Sequence, residues 1–571
     1  MKILQNHIKE VFSKAIAKAF PTIAYEHSPN ISKANPSFGD YQWNGAMDIF
    51  KQCKDELKLE SVSQVTELVS KHLSRDMFEE VIPAKGFVTM KLSSKWVSEE
   101  LKTLIRNGVK IEWKNDTYKI LVDFSSPNIA KDMHVGHLRS TILGESICRV
   151  FEFLGYNVLR INHIGDWGTN FGMYIEYLKR EHPNYIENFP AISDLTSFYK
   201  KARQLMDTDE DFKKCARANV VKLQEREKVS VKAWEIICEI SKAEIKKLYD
   251  ILDITLEDYG ESYYVDMIPG VIDELTAKGI CKESSGAMCV FTNIDKTPLI
   301  LRKSDGGYGY DSTDMACIRH RIITLGCKRL IYVTDSGQRS HFDLLFEAAR
   351  IAGWATDDIV LDHVGFGLIQ NEDGKKFKSR SGEPVRLMSL IDEAIERSKT
   401  ELKMRGAHDD AYIKYASKVL GCASIRYFDL KQNYNTNYKF SYDKMLNPKG
   451  NTAIYILYGY ARICSIFKKS TLEVDFMNDC DKINLVHPKE LTLGKHLLYF
   501  PDVISFTTQD LLISRIADYT YNLTEIFTSF YNECKVVGGD EEVSRLLLCK
   551  ATKSILDMCL YMLGITPLEK L

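Results

Sequence analysis

Two histidines, His134 and His137, are separated by a valine and a glycine and follow an apolar run of strand length at residues 119–124. Apolar residues at helical spacing continue from residue 138 to residue 154, which indicates an amphipathic helix. The N-terminus of a helix that follows a parallel strand presents unpaired backbone N–H groups and a positive dipole end to an anion. Gly136 has no side chain, so the backbone can come close to a ligand. The pattern therefore predicts a nucleotide-binding loop in which both imidazoles contact a polyphosphate.

Two histidines three residues apart could also ligate zinc, but the sequence has neither an HExxH pattern nor a CxxC pair to complete such a site. The 14 cysteines are scattered, which indicates a reducing, cytoplasmic compartment. We expect no signal peptide and no membrane span, because no apolar run approaches the ~18 residues that a span needs. The net charge of −2 implies that any RNA-binding surface is local.

The chain of 571 residues exceeds the ~250–300 residues at which single cores stop growing, so several domains are expected. Strand patterns at residues 119–124, 157–163, 330–334 and 359–363 alternate with helical patterns, which favours a parallel sheet. Long charged helices at about residues 183–290 interrupt this alternation. We predict a Rossmann-type core that is split by an insertion and binds its ligand at the carboxyl ends of the strands.

The two ends of the chain differ from this core. Helical patterns and a short strand predict a small N-terminal α/β domain at residues 1–112, and helical periodicity predicts an all-α bundle at residues 441–571. The Rossmann-type domain would span residues 113–385, and connecting helices would span residues 386–440. The predicted fold class is therefore multidomain α/β with a C-terminal helical bundle.

A loop in the N-terminal domain carries amide and aromatic side chains at Asn35, Phe38 and Tyr41. Such side chains can stack on unpaired nucleic-acid bases or bond to their edges. The aromatic residues, together with Trp43, could equally pack a small core. The sequence leaves both interpretations open.

Four stretches resemble signatures of class I aminoacyl-tRNA synthetases, and within that class of arginyl-tRNA synthetases of the eukaryotic cytosolic type. They are DFSSPNIAK at residues 123–131, HVGHLRS at 134–140, NHIGDWG at 162–168 and GNTA at 450–453. The resemblance covers essentially the whole chain. It implies that L-arginine is activated with ATP and Mg²⁺ to arginyl-adenylate, with release of pyrophosphate, and is then transferred to the 3′-terminal ribose of tRNA(Arg). The alternatives are a class I synthetase for another amino acid and a synthetase-like RNA-binding regulatory protein.

In this reaction the nucleophile is a carboxylate, which needs no general base, so catalysis should rest on positioning and on charge stabilisation at the phosphates. The resemblance gives this role to His134 and His137. It also implies an ATP site that comprises His134, Gly136, His137, Phe366, Lys376, Phe377 and Lys378.

The second signature of the class, KMSKS, corresponds to KKFKSRSG at residues 375–382, where the position of the second lysine falls at Ser379. The resemblance implies that Lys131 compensates for this missing lysine and that Lys376 and Lys378 keep the loop basic. The predicted catalytic residues are therefore Lys131, His134, His137 and Lys378. Activation is expected to depend on tRNA.

Recognition of arginine requires carboxylates and planar acceptors that can engage the guanidinium group. The resemblance places four residues at the amino acid end of the substrate, namely Asp123, Ser126, Asn128 and His134. It places Tyr310, Asp314 and Gln338 around the side chain. Tyr310 and Asp314 are four residues apart, so on a helix they would share one face.

The resemblance assigns the N-terminal domain to the tRNA elbow, with Asn35, Phe38 and Tyr41 as candidate contacts, and the C-terminal bundle to the anticodon. The predicted partners are tRNA(Arg), L-arginine and ATP, and no membrane is expected. The sequence leaves open whether the chain is monomeric or belongs to a multi-synthetase assembly.

Overall fold

Apolar residues at helical spacing and short alternating strands build the N-terminal part of the chain. Its elements are α1 (Leu4–Ala19), β1 (Ile31–Lys33), β2 (Tyr41–Trp43), α2 (Ala46–Cys53), α3 (Val62–His72), β3 (Phe78–Ala84), β4 (Phe87–Leu92) and α4 (Ser94–Asn107). The strands form an antiparallel sheet in the order β1-β2-β4-β3. The buried face of α1 packs on this sheet, with the Phe12 and Trp43 ring centroids 5.4 Å apart.

The first half of the central part begins with alternating strands and helices and continues into a helical segment. Its elements are β5 (Lys119–Asp123), α5 (Val135–Phe153), β6 (Asn157–Asn162), α6 (Asn170–Glu181), α7 (Leu195–Thr208), α8 (Glu210–Gln224), α9 (Lys228–Leu252), β7 (Glu257–Asp258), α10 (Glu261–Tyr264) and α11 (Ile268–Ala277).

The second half returns to strands and ends in a helical hairpin. Its elements are β8 (Cys281–Ser284), β9 (Ala287–Val290), β10 (Leu299–Arg302), α12 (Tyr310–Arg319), β11 (Arg329–Asp335), α13 (Arg339–Ile351), β12 (Val360–Phe366), β13 (Ile369–Gln370), α14 (Leu387–Arg405), α15 (Asp410–Leu430), β14 (Tyr438–Lys439) and α16 (Tyr442–Met445). A turn of π-helix at His320–Thr324 directly follows α12.

Five strands form a wholly parallel sheet in the order β12-β11-β5-β6-β7. The chain runs outward from β5 in both directions, so the loop after β5 lies at the point where the strand order reverses, which is the ligand-binding position of such sheets. This confirms the predicted fold class. β7 falls inside the predicted insertion at residues 183–290 yet pairs with β6, and a strand of two residues has no periodicity that could have revealed it.

The C-terminal part is helical, as its periodicity predicts. Its elements are α17 (Ala453–Lys469), α18 (Pro488–Leu498), α19 (Phe500–Asp510), α20 (Ser514–Glu533) and α21 (Glu542–Met562). Asp502 on α19 accepts hydrogen bonds from the backbone N–H groups of Leu4 and Gln5, at 2.9 and 2.8 Å. A carboxylate there stabilises the positive N-terminal end of α1.

This computed structural model describes residues 3–21, 28–35, 37–109, 118–129, 131–185, 187, 195–295, 297–375, 377, 385–406 and 409–571. The chain forms two units, of which one comprises Met1–Lys114, Pro448–Tyr561 and Thr566–Leu571 and the other Asn115–Asn447 and Met562–Ile565. The finer domain bounds at residues 112, 385 and 440 stay predictions. In the described part of the chain, no helix is long and apolar enough to cross a membrane.

Candidate active site

His134 and His137 lie at the N-terminus of α5, where their rings cap the helix. His134 Nδ1 accepts a hydrogen bond from the backbone N–H of Gly136 at 3.0 Å, and His137 Nδ1 accepts one from the backbone N–H of His134 at 3.1 Å. The ring centroids are 4.1 Å apart. The motif therefore satisfies backbone donors that a helix N-terminus otherwise leaves unpaired.

This capping fixes the tautomer of both rings. Because Nδ1 accepts in each ring, a neutral imidazole here carries its proton on Nε2. Burial, followed by the positive charges of His134 and Lys131, lowers the pKa of His137 to about 3. His137 is therefore neutral at physiological pH and can act as an N–H donor rather than as a cation.

A groove lies at the N-terminus of α5, and its walls include His134, Gly136, Arg139, Phe366, Leu368 and Phe377. The buried Arg139 donates hydrogen bonds to the backbone oxygens of Gly367 and Thr436, each at 2.8 Å. These bonds hold the segment after β12 against α5. The structure thus brings together four of the residues predicted for ATP binding, namely His134, Gly136, Phe366 and Phe377.

The loop between β5 and the histidines is turned by two consecutive residues in the left-handed region, Ser125 with φ 69° and Ser126 with φ 44°. Such conformations cost about 1–3 kcal/mol each and persist only where surrounding contacts enforce them. Ser125 Oγ lies 2.7 Å from the Tyr249 hydroxyl. Ser126 Oγ donates to Asp123 Oδ1 at 2.8 Å and accepts from the His163 backbone N–H at 3.1 Å.

Asn128, at the end of this turn, packs against the loop that follows β6. The backbone N–H of Ile129 donates to Gly165 O at 3.1 Å, and the Gly165 N–H donates to Pro127 O at 3.2 Å. A Cβ on Gly165 would lie 2.1 Å from Asn128 Oδ1. The glycine is therefore required for the observed position of the Asn128 amide, which is exposed.

Asp123, predicted to bind substrate, is buried at the carboxyl end of β5. Its Oδ2 lies 2.7 Å from Arg321 Nη1, and both side chains are almost fully buried. The carboxylate is therefore paired within the protein.

Tyr310 and Asp314 both lie on α12, about one helical turn apart. Tyr310 is 77% exposed at the first position of the helix. Asp314 Oδ2 lies 2.6 Å from Nε2 of His341 on α13, and Gln338 is exposed immediately before that helix. The hydrogen bond to Asp314 raises the pKa of His341. His341 was not foreseen from the sequence.

Glu261, at the start of α10, is a second residue that sequence reasoning missed. Burial, followed by the negative charges of Asp166 and Asp314, raises the pKa of its carboxyl to about 7. The Glu261 N–H donates to Ile164 O at 3.0 Å, beside the Gly165 that packs on Asn128. A carboxyl group surrounded by other negative charges in this way is suited to binding a cation.

Lys131 is exposed, close enough to His137 to help lower its pKa. Lys376, Lys378 and the Ser379 position lie outside the described residues. The backbone that follows them pairs with the histidine motif, since the Val135 N–H donates to Val385 O at 3.0 Å and the Leu387 N–H donates to Met133 O at 2.9 Å.

The three residues predicted to touch tRNA differ in accessibility. Phe38 is 63% exposed, whereas Tyr41 is 4% exposed and packs in the core of its unit. Asn35 Oδ1 accepts from the backbone N–H of Ser37 at 3.1 Å. This burial corrects the prediction that Tyr41 stacks on a base of tRNA. The Phe38 ring is exposed and remains a candidate for stacking.

Class and family follow from this arrangement together with sequence comparisons. A parallel sheet with a capped His-x-Gly-His loop at its switch point is typical of the catalytic core of class I aminoacyl-tRNA synthetases. Residues 100–442 match the family described as "tRNA synthetases class I (R), catalytic domain". Residues 6–92 match "Arginyl tRNA synthetase N terminal domain", and residues 456–571 match "DALR anticodon binding domain". The chain belongs to the arginyl-tRNA synthetase family, whose class uses ATP as a substrate.

Individual relatives agree over the full length. The chain is 42% identical to the arginine–tRNA ligase of Trichodesmium erythraeum, with 100% of both chains covered. It is 41% identical to the cytoplasmic arginine–tRNA ligase of Mus musculus, with 100% of this chain and 89% of the relative covered. Its structure is similar to the crystal structure of arginyl-tRNA synthetase from Plasmodium falciparum, with a TM-score of 0.89, 43% identity and 100% of both chains covered.

Proposed function

We propose that this chain is an arginine–tRNA ligase, which activates L-arginine with ATP and transfers it to the 3′-terminal ribose of tRNA(Arg). The observation that carries the proposal is the acidic pair Asp314 and Glu261, in which the charge of Asp314 helps to raise the pKa of Glu261. The backbone of Glu261 is hydrogen-bonded to Ile164, next to the Gly165 that packs on Asn128. A guanidinium group requires such carboxylates, whereas the neutral or acidic side chains of most other amino acids do not.

In the first half-reaction, an oxygen of the arginine carboxylate attacks the α-phosphorus of ATP, and the bond to pyrophosphate breaks. In this proposal the nucleotide lies along the groove whose walls include Phe366 and Phe377. His137, neutral with its proton on Nε2, donates to the phosphates, and Lys131 supplies positive charge where negative charge develops.

Mg²⁺ would accompany ATP. Within the ranges that the structure describes, no group of three or more His, Cys, Asp or Glu side chains could hold a metal ion. The described residues therefore offer no such cage for this ion.

Arginine binding should strengthen as the pH rises from about 6 to about 8. A bound cation favours the ionised form of Glu261, whose pKa is raised to about 7 in the free protein. Binding then releases a proton, so the Kd for arginine should fall about tenfold over this interval. Isothermal titration calorimetry at several pH values measures this. Glu261→Gln should flatten the dependence, and an equally steep profile in that variant would exclude Glu261 as the titrating group.

Asp314→Asn should raise the KM for arginine about tenfold, because a charge-assisted hydrogen bond to the guanidinium is replaced by a neutral one. Steady-state aminoacylation with varied arginine measures the effect. Asp343→Asn is the matched control, since Asp343 is paired with Arg339 on the surface of α13. Equal KM values for arginine in both variants would show that Asp314 does not bind the substrate side chain.

Transfer to tRNA completes the proposed reaction. The match of residues 456–571 to an anticodon binding domain supports tRNA as partner, and exposed Phe38 remains a candidate contact in the N-terminal domain. Activation is proposed to depend on tRNA, because Ser379 stands where the second lysine of KMSKS falls. A cytoplasmic location, the eukaryotic cytosolic subtype and membership of a multi-synthetase assembly stay predictions.

The proposed function is tested by charging total tRNA with radiolabelled arginine in the presence of ATP and Mg²⁺. Acid-precipitable arginine that is lost on mild alkaline hydrolysis is the expected result. Binding of tRNA without charging would favour the alternative of a synthetase-like regulatory protein, and charging with a different amino acid would favour another class I specificity.

A further inference from the structure

Arg321 and Asp123 form a buried ion pair whose partners belong to different elements of the sheet domain. Arg321 Nη1 lies 2.7 Å from Asp123 Oδ2, and the side chains are 0% and 8% exposed. Removing two charges from water is unfavourable, and buried pairs are weak evidence for stability in themselves. We therefore explain the Arg321–Asp123 pair by the positions in which it holds the surrounding elements rather than by a gain in stability.

Asp123 is hydrogen-bonded to the loop that leads to Asn128. Its Oδ1 accepts from Ser126 Oγ, one of the two residues with left-handed backbone. Ser126 Oγ in turn accepts from the backbone N–H of His163, at the end of β6. The orientation of this carboxylate therefore sets the turn of the loop.

Arg321 lies next to the two helices that carry the acidic pair, α10 with Glu261 and α12 with Asp314. It lies in the π-helical turn directly after α12, the helix of Tyr310 and Asp314. Its guanidinium carbon is 6.0 Å from the ring centroid of Tyr264, the last residue of the α10 helix that Glu261 begins, and 5.2 Å from that of Tyr332 on β11. One buried side chain thus contacts α10, β11 and the end of β5.

We propose that Arg321 is a positioning residue of the arginine site, which holds the acidic residues of α10 and α12 in register with the loop at residues 126–128. This inference rests on the proposed function. Because Arg321 is fully buried, it acts through Asp123, Tyr264 and the turn after α12 rather than by contact with substrate. The role also reassigns Asp123, which orients Ser126 instead of binding the substrate directly.

The test compares Arg321→Gln, Arg321→Lys and the double variant Asp123→Asn/Arg321→Gln. The double variant removes both charges and leaves neither one buried alone. The KM for arginine should rise about tenfold or more in the double variant, while the KM for ATP stays within about twofold, since only the amino acid site loses its register. Arg321→Lys keeps the charge but not the flat guanidinium group that lies near the Tyr264 and Tyr332 rings, so it should show the same selective rise to a smaller extent.

Arg329→Gln is the matched control, because Arg329 Nε lies 2.6 Å from Asp362 Oδ2 in an ion pair between β11 and β12 of the same sheet. This control should not raise the KM for arginine selectively. Thermal melting of each variant establishes that it is folded, and Arg321→Lys decides the question if the double variant does not fold.

Equal changes in the two KM values, or no change in a folded variant, would overturn the positioning role. A wild-type protein that fails to charge tRNA with arginine would instead refute the proposed function, so the two failures are distinguishable.

Discussion

Lys131→Ala should lower kcat for arginine activation by about 10²–10³-fold, the effect of removing one preorganised charge-stabilising group at a transition state. The Kd for arginine should change little, because the charge is needed only where negative charge develops on the phosphates. Lys131 is exposed, so its truncation leaves no cavity in a core. Pyrophosphate exchange with tRNA present gives kcat, and calorimetry gives the Kd.

Lys131→Arg should recover part of the lost rate, because it restores the positive charge. Lys282→Ala removes a charge from an exposed position on β8 and should leave kcat unchanged. A variant at position 131 that weakens arginine binding and catalytic efficiency equally, with turnover unchanged, would refute a transition-state role.

Gly165→Ala should reduce kcat/KM for arginine about 10²-fold, the cost of displacing a substrate-positioning group by about 1 Å. The new Cβ would lie 2.1 Å from Asn128 Oδ1, so the amide must move. Asn128 is exposed and can move without disturbing the core, so the fold should persist. Steady-state kinetics and a thermal melt of the same preparation separate the two effects.

Gly270→Ala is the control for this substitution. Gly270 lies in α11, and a Cβ added there would meet no atom within 4 Å, so the change should be neutral or stabilising by up to about 1 kcal/mol. If Gly165→Ala keeps the wild-type kcat/KM for arginine, Asn128 does not position the substrate.

The histidine loop was predictable because its signals are local. Strand length, a histidine pair and helical periodicity all occur between residues 119 and 154, and the structure places them at the switch point of the sheet. The spacing of four predicted that Tyr310 and Asp314 would share a face if they lay on a helix, but it did not predict α12 itself.

The sequence did not reveal one member of the acidic pair, Glu261, or the two residues that contact Asp314 and Asp123, namely His341 and Arg321. Glu261, His341 and Arg321 lie on elements that approach Asp314 or Asp123 only after the sheet has assembled, and no spacing marks them. Sequence reasoning also could not distinguish the buried Tyr41 from the exposed Phe38, because both lie in one aromatic segment whose sides are set by tertiary packing.

Pyrophosphate exchange with each of the twenty amino acids, with and without tRNA, tests the central claim most directly. The proposed site predicts exchange with arginine alone and only when tRNA is present, because the acidic pair selects the guanidinium and the second signature lacks its lysine at Ser379. Exchange with another amino acid, or no exchange with arginine in the presence of tRNA, would contradict the assignment of this chain as an arginine–tRNA ligase.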